Sequence, residues 1–255
     1  RQSQKILIIG QVGTGKTATS KLFGKSFTEA AEKRNTKISY IHINCHKNRT
    51  LFTILRKIIK EIIKNFPERG LSAQELYNVI RIKLEEDRYL LLTLDEIDYF
   101  IRVGGEESLY DLIRMSDEFL NQPQRISFIF IARDQTFLPL LDKSTKSVLM
   151  HNIIRFKPYT TEQLKDILKE RIKEAFYEET INDEAINTIA EIAAESGDAR
   201  YALEILWRTA KIAEQEGKKK IELKHIRKAA STIHPTIREE DLRNLTKHEK
   251  LLIIA

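Results

Sequence analysis

The sequence predicts an α/β fold in which a five-stranded parallel sheet is covered by helices and followed by a small all-helical unit. Two observations carry that prediction. Over residues 1–157 five short apolar runs, KILIIG, ISYIHIN, YLLLTLD, ISFIFIA and HNIIRF, alternate with stretches of helical periodicity. Short apolar strands separated by helices belong to a parallel sheet buried on both faces. Beyond Pro158 the strand signal stops and only the helical period remains, as expected of a bundle held by apolar stripes. The organisation that follows is a core over 1–157, a helical lid over 158–232 and, over 233–255, a linker with the first helix of a further domain.

Each element has a local reason. The first run leads into the glycine-rich stretch GQVGTGKT and then into a helix from Thr17. After the second run, Thr50 opens a helix whose Leu51, Phe52, Leu55, Ile58, Ile59, Ile62 and Ile63 form one apolar stripe. Arg56, Lys60 and Lys64 line another side of it at helical spacing. That helix should end near Asn65 and Pro67, and Ser72 with Glu75 makes a capping box for the next, LSAQELYNVIRIKL. In the lid, Thr160 and Gln163 form a capping box ahead of Leu164, Ile167, Leu168 and Ile172. A second lid helix runs from about Asp183 and is stopped by Gly197. A third follows Asp198 with Ala202, Leu203, Ile205, Leu206 and Trp207, and a fourth spans about Leu223 to Ala230. Trp207 is expected to pack within this unit rather than to stack on a base. Past His234 and Pro235, Thr246 and Glu249 set up a last capping box, whose helix breaks off at Ala255. Both ends of the chain read as cut from a longer protein.

A chain of 255 residues can bury a real core. Its lone cysteine, Cys45, allows no internal disulfide and suits an intracellular protein. No signal peptide is visible, YLLLTL and LLIIA are far too short to span a bilayer, and no membrane partner is expected. The net charge of +6 is unevenly spread: residues 1–157 hold 26 basic and 18 acidic groups, residues 158–232 hold 13 and 15. Residues 16–64 carry 12 basic side chains against Glu29, Glu32 and Glu61. Such a concentration suits a phosphate-bearing partner, and equally a solvated helical surface. His42, Cys45 and His46 lie close in sequence, yet strand alternation sends His42 and Cys45 to opposite faces, and no second cluster completes a zinc site.

The chemistry concentrates at GQVGTGKT, which fits the phosphate-loop pattern in full and sits between a strand and a helix. Gly10, Gly13 and Gly15 let the backbone of Gln11, Val12 and Thr14 wrap close to phosphates, with N–H groups at the helix start aimed at negative charge. Lys16 should reach the β and γ phosphates of ATP or ADP, and Thr17 should offer a hydroxyl to Mg²⁺. The third strand ends in LLLTLDEID, at the edge where ligands bind in parallel sheets. Asp95 is therefore a candidate for the Mg²⁺ shell, and Glu96 for the general base that polarises water.

Phosphate loop, DE box, five-stranded core and helical lid together resemble the AAA+ class of P-loop ATPases. GDARYAL (197–203), HINCHKNRT (42–50) and KPYTTEQLKDIL (157–168) are similar, in turn, to the second sensor, the stretch after the second strand and the core-to-lid junction of replication initiators. The resemblance is to the archaeal initiators related to the first origin recognition complex subunit and the cell-division-cycle-six helicase loader, and it covers nearly the whole chain. It implies that Arg200 contacts the nucleotide phosphates and that Tyr159 and Ile167 pack near the adenine. It also implies that an initiator element within roughly residues 46–88 touches DNA, and that the broken C-terminal helix begins a winged-helix domain. Double-stranded origin DNA, initiator paralogues and the replicative helicase are the implied partners, and the nucleoid in the cytoplasm is the implied location. Two positions depart from the family. Arg133 in IARDQTF stands where a polar sensor, often asparagine, is usual, and Ser144 in LLDKSTKSVL stands at the arginine-finger position, with the cation Lys146 two residues on.

Three functions fit these residues. The first is a DNA-binding initiator in which ATP acts as a switch with slow hydrolysis, favoured by the motif set and by the two departures. The second is a faster clamp-loader-like or transposition-helper ATPase using Lys16, Thr17, Asp95 and Glu96 in the same roles. The third is a nucleotide-dependent signalling module without DNA.

Overall fold

The structure is a computed structural model that describes residues 3–63, 66, 70–85, 88–115 and 124–233. The capping box of Thr246 and Glu249, the helix expected after it, and Lys64, Asn65 and Pro67 lie outside these residues. The chain divides into two compact units, Arg1–Lys157 and Pro158–Ala255.

In the first unit β1 (Lys5–Ile9) leads into α1 (Lys16–Glu32), β2 (Lys37–Asn44), α2 (Leu51–Ile62), α3 (Ala73–Glu85) and β3 (Arg88–Asp95). Helix α4 (Ile97–Arg114), β4 (Ile126–Ala132), a single 3-10 turn (Leu138–Leu140), α5 (Lys143–Met150) and β5 (Ile153–Arg155) complete it. The strands form one parallel sheet in the order β2-β3-β4-β1-β5. The five apolar runs thus became the five strands. Register brings the carboxyl ends together: Ile9 lies beside Ala132 and Arg155, and Asn44 beside Asp95.

Alternation along the strands divides the apolar residues between two faces. Leu7, Ile41, Ile43, Leu92, Leu94, Phe128 and Phe130 join the larger core with the inner sides of α2, α3 and α4. The stripe read on α2 is that inner side, since Ile54, Leu55, Ile58 and Ile59 are each at most 1% exposed. Helix α2 stops at Ile62 because Ile63 turns extended, at φ −129. Thr50 caps its start with Thr53 in a reciprocal box, and Ser72 and Glu75 do the same ahead of α3. The opposite face carries a smaller cluster of Ile8, Leu91, Ile129 and Ile131. Where α1 crosses β2, Gly24 lets the helix touch the Tyr40 ring, for a Cβ there would lie 2.3 Å from it. Helix α4 is broken at Gly105, whose φ of 76 and ψ of 169 are not helical; the Gly104-Gly105 pair in the sequence is the local cause.

The second unit is built from α6 (Thr161–Ala175), α7 (Asp183–Ala194), α8 (Ala199–Gln215) and α9 (Leu223–Ser231). Leu164, Leu168, Ile189, Ala190, Ile205 and Ile226 form its core. The Thr160–Gln163 box caps α6, and Gly197 follows α7 with φ 62. Trp207 departs from its expected place. It is 60% exposed and outside the lid core, because the buried side of α8 is set by Tyr201, Ala202, Ile205, Leu206, Thr209 and Ala213, and Trp207 lies one residue off that stripe.

Candidate functional site

The loop between β1 and α1 is shaped by its glycines. Gly13 (φ 79) and Gly15 (φ 82) take left-handed conformations that strain other residues. Gly10 needs its bare Cα for a different reason: a Cβ there would come within 2.6 Å of the Phe156 carbonyl oxygen. Thr14, 2% exposed, ties the loop to itself by donating to the Gln11 carbonyl at 2.8 Å. Lys16 is also buried, and its Nζ donates to the Gly10 carbonyl at 2.5 Å and the Gln11 carbonyl at 2.7 Å. Its charge is therefore held on the loop itself. Helix α1 has no acidic residue of its own in its first turn, so its positive dipole end is left to groups brought from elsewhere in the fold.

The sequence brings Thr17 and Asp95 together across 78 positions. The Thr17 hydroxyl donates to Asp95 Oδ2 at 2.7 Å, and the Glu96 backbone N–H donates to Asp95 Oδ1 at 3.1 Å. The Asp95 side chain also meets His42 Nε2, at 3.3 Å from Oδ2. Burial pushes the Asp95 carboxyl up, but the contacts from His42, Thr17 and the Glu96 N–H together outweigh it and hold the group below its ordinary value. Asp95 is thus anionic, fixed and beside the phosphate loop. Hard oxygen donors of this kind, one hydroxyl and one carboxylate, fit Mg²⁺, which keeps most of its shell for water and phosphate. Among the described residues no group of three or more His, Cys, Asp and Glu side chains could hold a metal by itself.

Glu96 occupies a conformation that periodicity does not reveal. It sits at φ 60, ψ 46, left-handed for a residue with a side chain, at the turn between β3 and α4. Such a backbone costs about 1–3 kcal/mol and persists where its surroundings enforce it. Its side chain is tied to β2, for Asn44 Nδ2 donates to Glu96 Oε2 at 3.2 Å. Asn44 Oδ1 in turn accepts the Lys47 backbone N–H at 3.2 Å. His42 and Asn44 both fall in HINCHKNRT, but neither the zinc reading of His42 nor the family resemblance gives either residue a role at the carboxylates. The available signal was their spacing on β2, which points both to one side of the strand.

The remaining candidates fall into two groups. Arg133 is exposed one residue beyond the Ala132–Ile9 pair, so its backbone is level with the start of the loop. Ser144 is exposed in the first turn of α5, where its backbone N–H donates to the Asp142 cap at 3.2 Å, and Lys146 is half-buried. In the second unit Gly197 and Asp198 serve the local turn. A Cβ on Gly197 would lie 2.3 Å from Pro158 Cβ, and Asp198 Oδ1 accepts the Arg200 and Tyr201 backbone N–H groups. That leaves the exposed Arg200 side chain as the part of GDARYAL that the lid does not use for packing or capping. Tyr159 packs partly on the lid core, and Ile167 is half-buried on α6.

Sheet order, loop and DE box define a P-loop ATPase of the AAA+ type, and comparison with known proteins agrees. A family described as "AAA domain" matches residues 1–141, so the chain belongs to that family. A second, described as "Cdc6 AAA+ ATPase-type lid domain", matches residues 165–231, and the initiator-like branch suggested by the lid motif is the one its relatives occupy. The chain is 41% identical to the ORC1-type DNA replication protein 2 of Sulfurisphaera tokodaii, over 99% of this chain and 63% of that protein. Among solved structures it resembles the Aeropyrum pernix ORC1 protein in complex with DNA, at 29% identity and a TM-score of 0.81, covering 100% of this chain and 66% of that one. It also resembles the ORC2 protein of the same organism in ADPNP–ADP complexes, at 25% identity and a TM-score of 0.82, covering 98% and 67%. The chain therefore spans a little under two thirds of the length of its first relative. Among the described residues, no helix is long and apolar enough to cross a membrane.

Proposed function

We propose that this chain is the nucleotide-binding core and lid of a DNA replication initiator, an ATP switch that acts on origin duplex and hydrolyses slowly. The observation that carries the proposal is the Thr17–Asp95 contact at 2.7 Å beside a complete phosphate loop, in a chain related to ORC1-type replication proteins. In this reading the N–H groups of residues 10–17 cradle the phosphates of ATP or ADP, and the Lys16 ammonium moves from the loop carbonyls to the β and γ phosphates. Thr17 and Asp95 hold Mg²⁺, which when bound neutralises phosphate charge. Glu96 accepts a proton from the attacking water. Arg200 contacts the phosphates from the lid, with Tyr159 and Ile167 near the adenine.

Slow turnover follows from two side chains. Arg133 has no lone pair with which to accept a hydrogen bond from water, and Ser144 carries no charge at the finger position, whose arginine in other phosphoryl-transfer enzymes supplies a large share of the rate. The relative bound to DNA and the 12 basic side chains of residues 16–64 favour duplex DNA as partner over a signalling role. Initiator paralogues and the replicative helicase complete the proposed partners, at the nucleoid.

The test is made on the full-length protein. Lys16→Ala should weaken binding of a fluorescent ADP at least tenfold, on the order expected for losing a charge-assisted phosphate contact. Origin-like duplex should bind with an affinity that falls steeply with salt, and single-turnover hydrolysis should be far slower than one event per second. A flat salt response, or turnover of several per second stimulated by a protein partner, would refute the initiator reading in favour of the faster ATPase.

A further inference from the structure

Strand β2 presents two polar side chains, His42 and Asn44, to the DE box, and neither has a place in the roles above. His42 is paired in register with Thr93, two residues short of Asp95, and its ring reaches forward along β3 to place Nε2 3.3 Å from Asp95 Oδ2. That oxygen is the one that accepts the Thr17 hydroxyl. A carboxylate only accepts, so the proton of this contact is on the imidazole Nε2. The other ring nitrogen, Nδ1, is buried and has no hydrogen-bond partner. The side chain is 13% exposed. A half-satisfied imidazole at such a site is a cost to folding, and an apolar or hydroxylated residue would fill the strand position without it. What the imidazole supplies in return is its Nε2–H contact to Asp95.

We infer that His42 is a positioning residue for the cation side of the site, fixing the Asp95 carboxylate so that Oδ2 stays on the Thr17 hydroxyl and faces Mg²⁺ in a Mg–nucleotide complex. The inference rests on the proposed nucleotide reading. It extends the site from the loop and the third strand to the edge strand, making β2 the outer support of both carboxylates: His42 holds Asp95 as Asn44 holds Glu96. Outer partners of metal-binding groups act by fixing orientation, and their loss costs affinity for the ion rather than for the rest of the ligand.

The experiment is a Mg²⁺ titration of fluorescent ADP binding by the full-length protein, with a parallel measurement in EDTA. His42→Phe keeps the ring and the strand propensity but has no donor. His42→Gln carries an amide N–H at about the reach of Nε2. The expected result is a Mg²⁺ midpoint raised roughly tenfold in H42F, an unchanged ADP affinity in EDTA, and recovery toward the wild-type midpoint in H42Q. An unchanged midpoint in H42F would overturn the inference, as would an equal loss of affinity with and without Mg²⁺, which marks a residue that merely supports the loop. If H42F does not fold, His42→Asn, one bond too short to reach Asp95, takes its place with the same expected midpoint. Wild-type binding that ignores Mg²⁺ would bring down the underlying metal assignment together with this inference; wild-type Mg²⁺ dependence with a silent H42F would bring down the inference alone.

Discussion

At the scale of single residues, the two carboxylates of the DE box are held in different ways and should fail in different ways. Asp95 is enclosed, 5% exposed, and accepts from Thr17, His42 and the Glu96 N–H. Folding lowers its pKa, so the charged form stabilises the native state. That contribution is complete above the unfolded value of about 3.9 and is lost as the pH falls through the lower, folded value. Urea denaturation of wild type and Asp95→Asn should therefore show a stability gap at pH 7 that narrows near pH 3. Glu96 instead keeps a side chain within reach of water, and Glu96→Gln should leave ADP affinity within about twofold while slowing hydrolysis by roughly 10²–10⁴ if it is the base. Single-turnover assays with matched nucleotide-binding curves would check this. The loop residues and both carboxylates could be read from sequence because local spacing fixes them between a strand and a helix. His42 and Asn44 could not be assigned that way, because strand register, not chain proximity, brings them to Asp95 and Glu96.

At the scale of elements, the lid depends on its turns as much as on its core. Gly197 combines φ 62 with a backbone pressed against Pro158 and Tyr159, whereas Thr160 contributes one capping box. Gly197→Ala should cost more than the ~1–2 kcal/mol of a left-handed alanine alone, because the added methyl also overlaps Pro158. Thr160→Ala should cost only about 1 kcal/mol. Denaturant unfolding of both variants checks the order, and a G197A protein as stable as T160A would contradict the close contact. In the core, Ile58 is 1% exposed on the α2 stripe, and Ile58→Ala should cost about 2–5 kcal/mol by the same measurement. Caps and stripes were legible because each is a local pattern. The exposure of Trp207 was not, since composition calls for burying a tryptophan while the one-residue phase of α8 decides otherwise.

At the scale of the whole molecule, the salt dependence of DNA binding is the measurement that separates a chain using its basic surface from one that is merely well solvated. Part of that surface is committed within the protein: Lys57 pairs with Glu61 at 2.6 Å, and Arg49 lies 5.5 Å from the centre of the Tyr99 ring. Replacing Lys47 and Arg49 together should shallow the log–log salt slope by about 1–2 if both meet phosphates, and leave it unchanged if they serve only the turn. The α/β order and the switch to helices at Pro158 were readable along the chain, since each unit declares its own period; the close approach of Gly10 to Phe156 was not, since it is set by the pairing of β1 with β5. A Cβ on Gly10 would lie 2.6 Å from the Phe156 carbonyl oxygen and 2.8 Å from Phe156 Cβ. The first glycine of the phosphate loop is therefore also a shim between the loop and the end of the sheet, and Gly10→Ala should force one of the two aside.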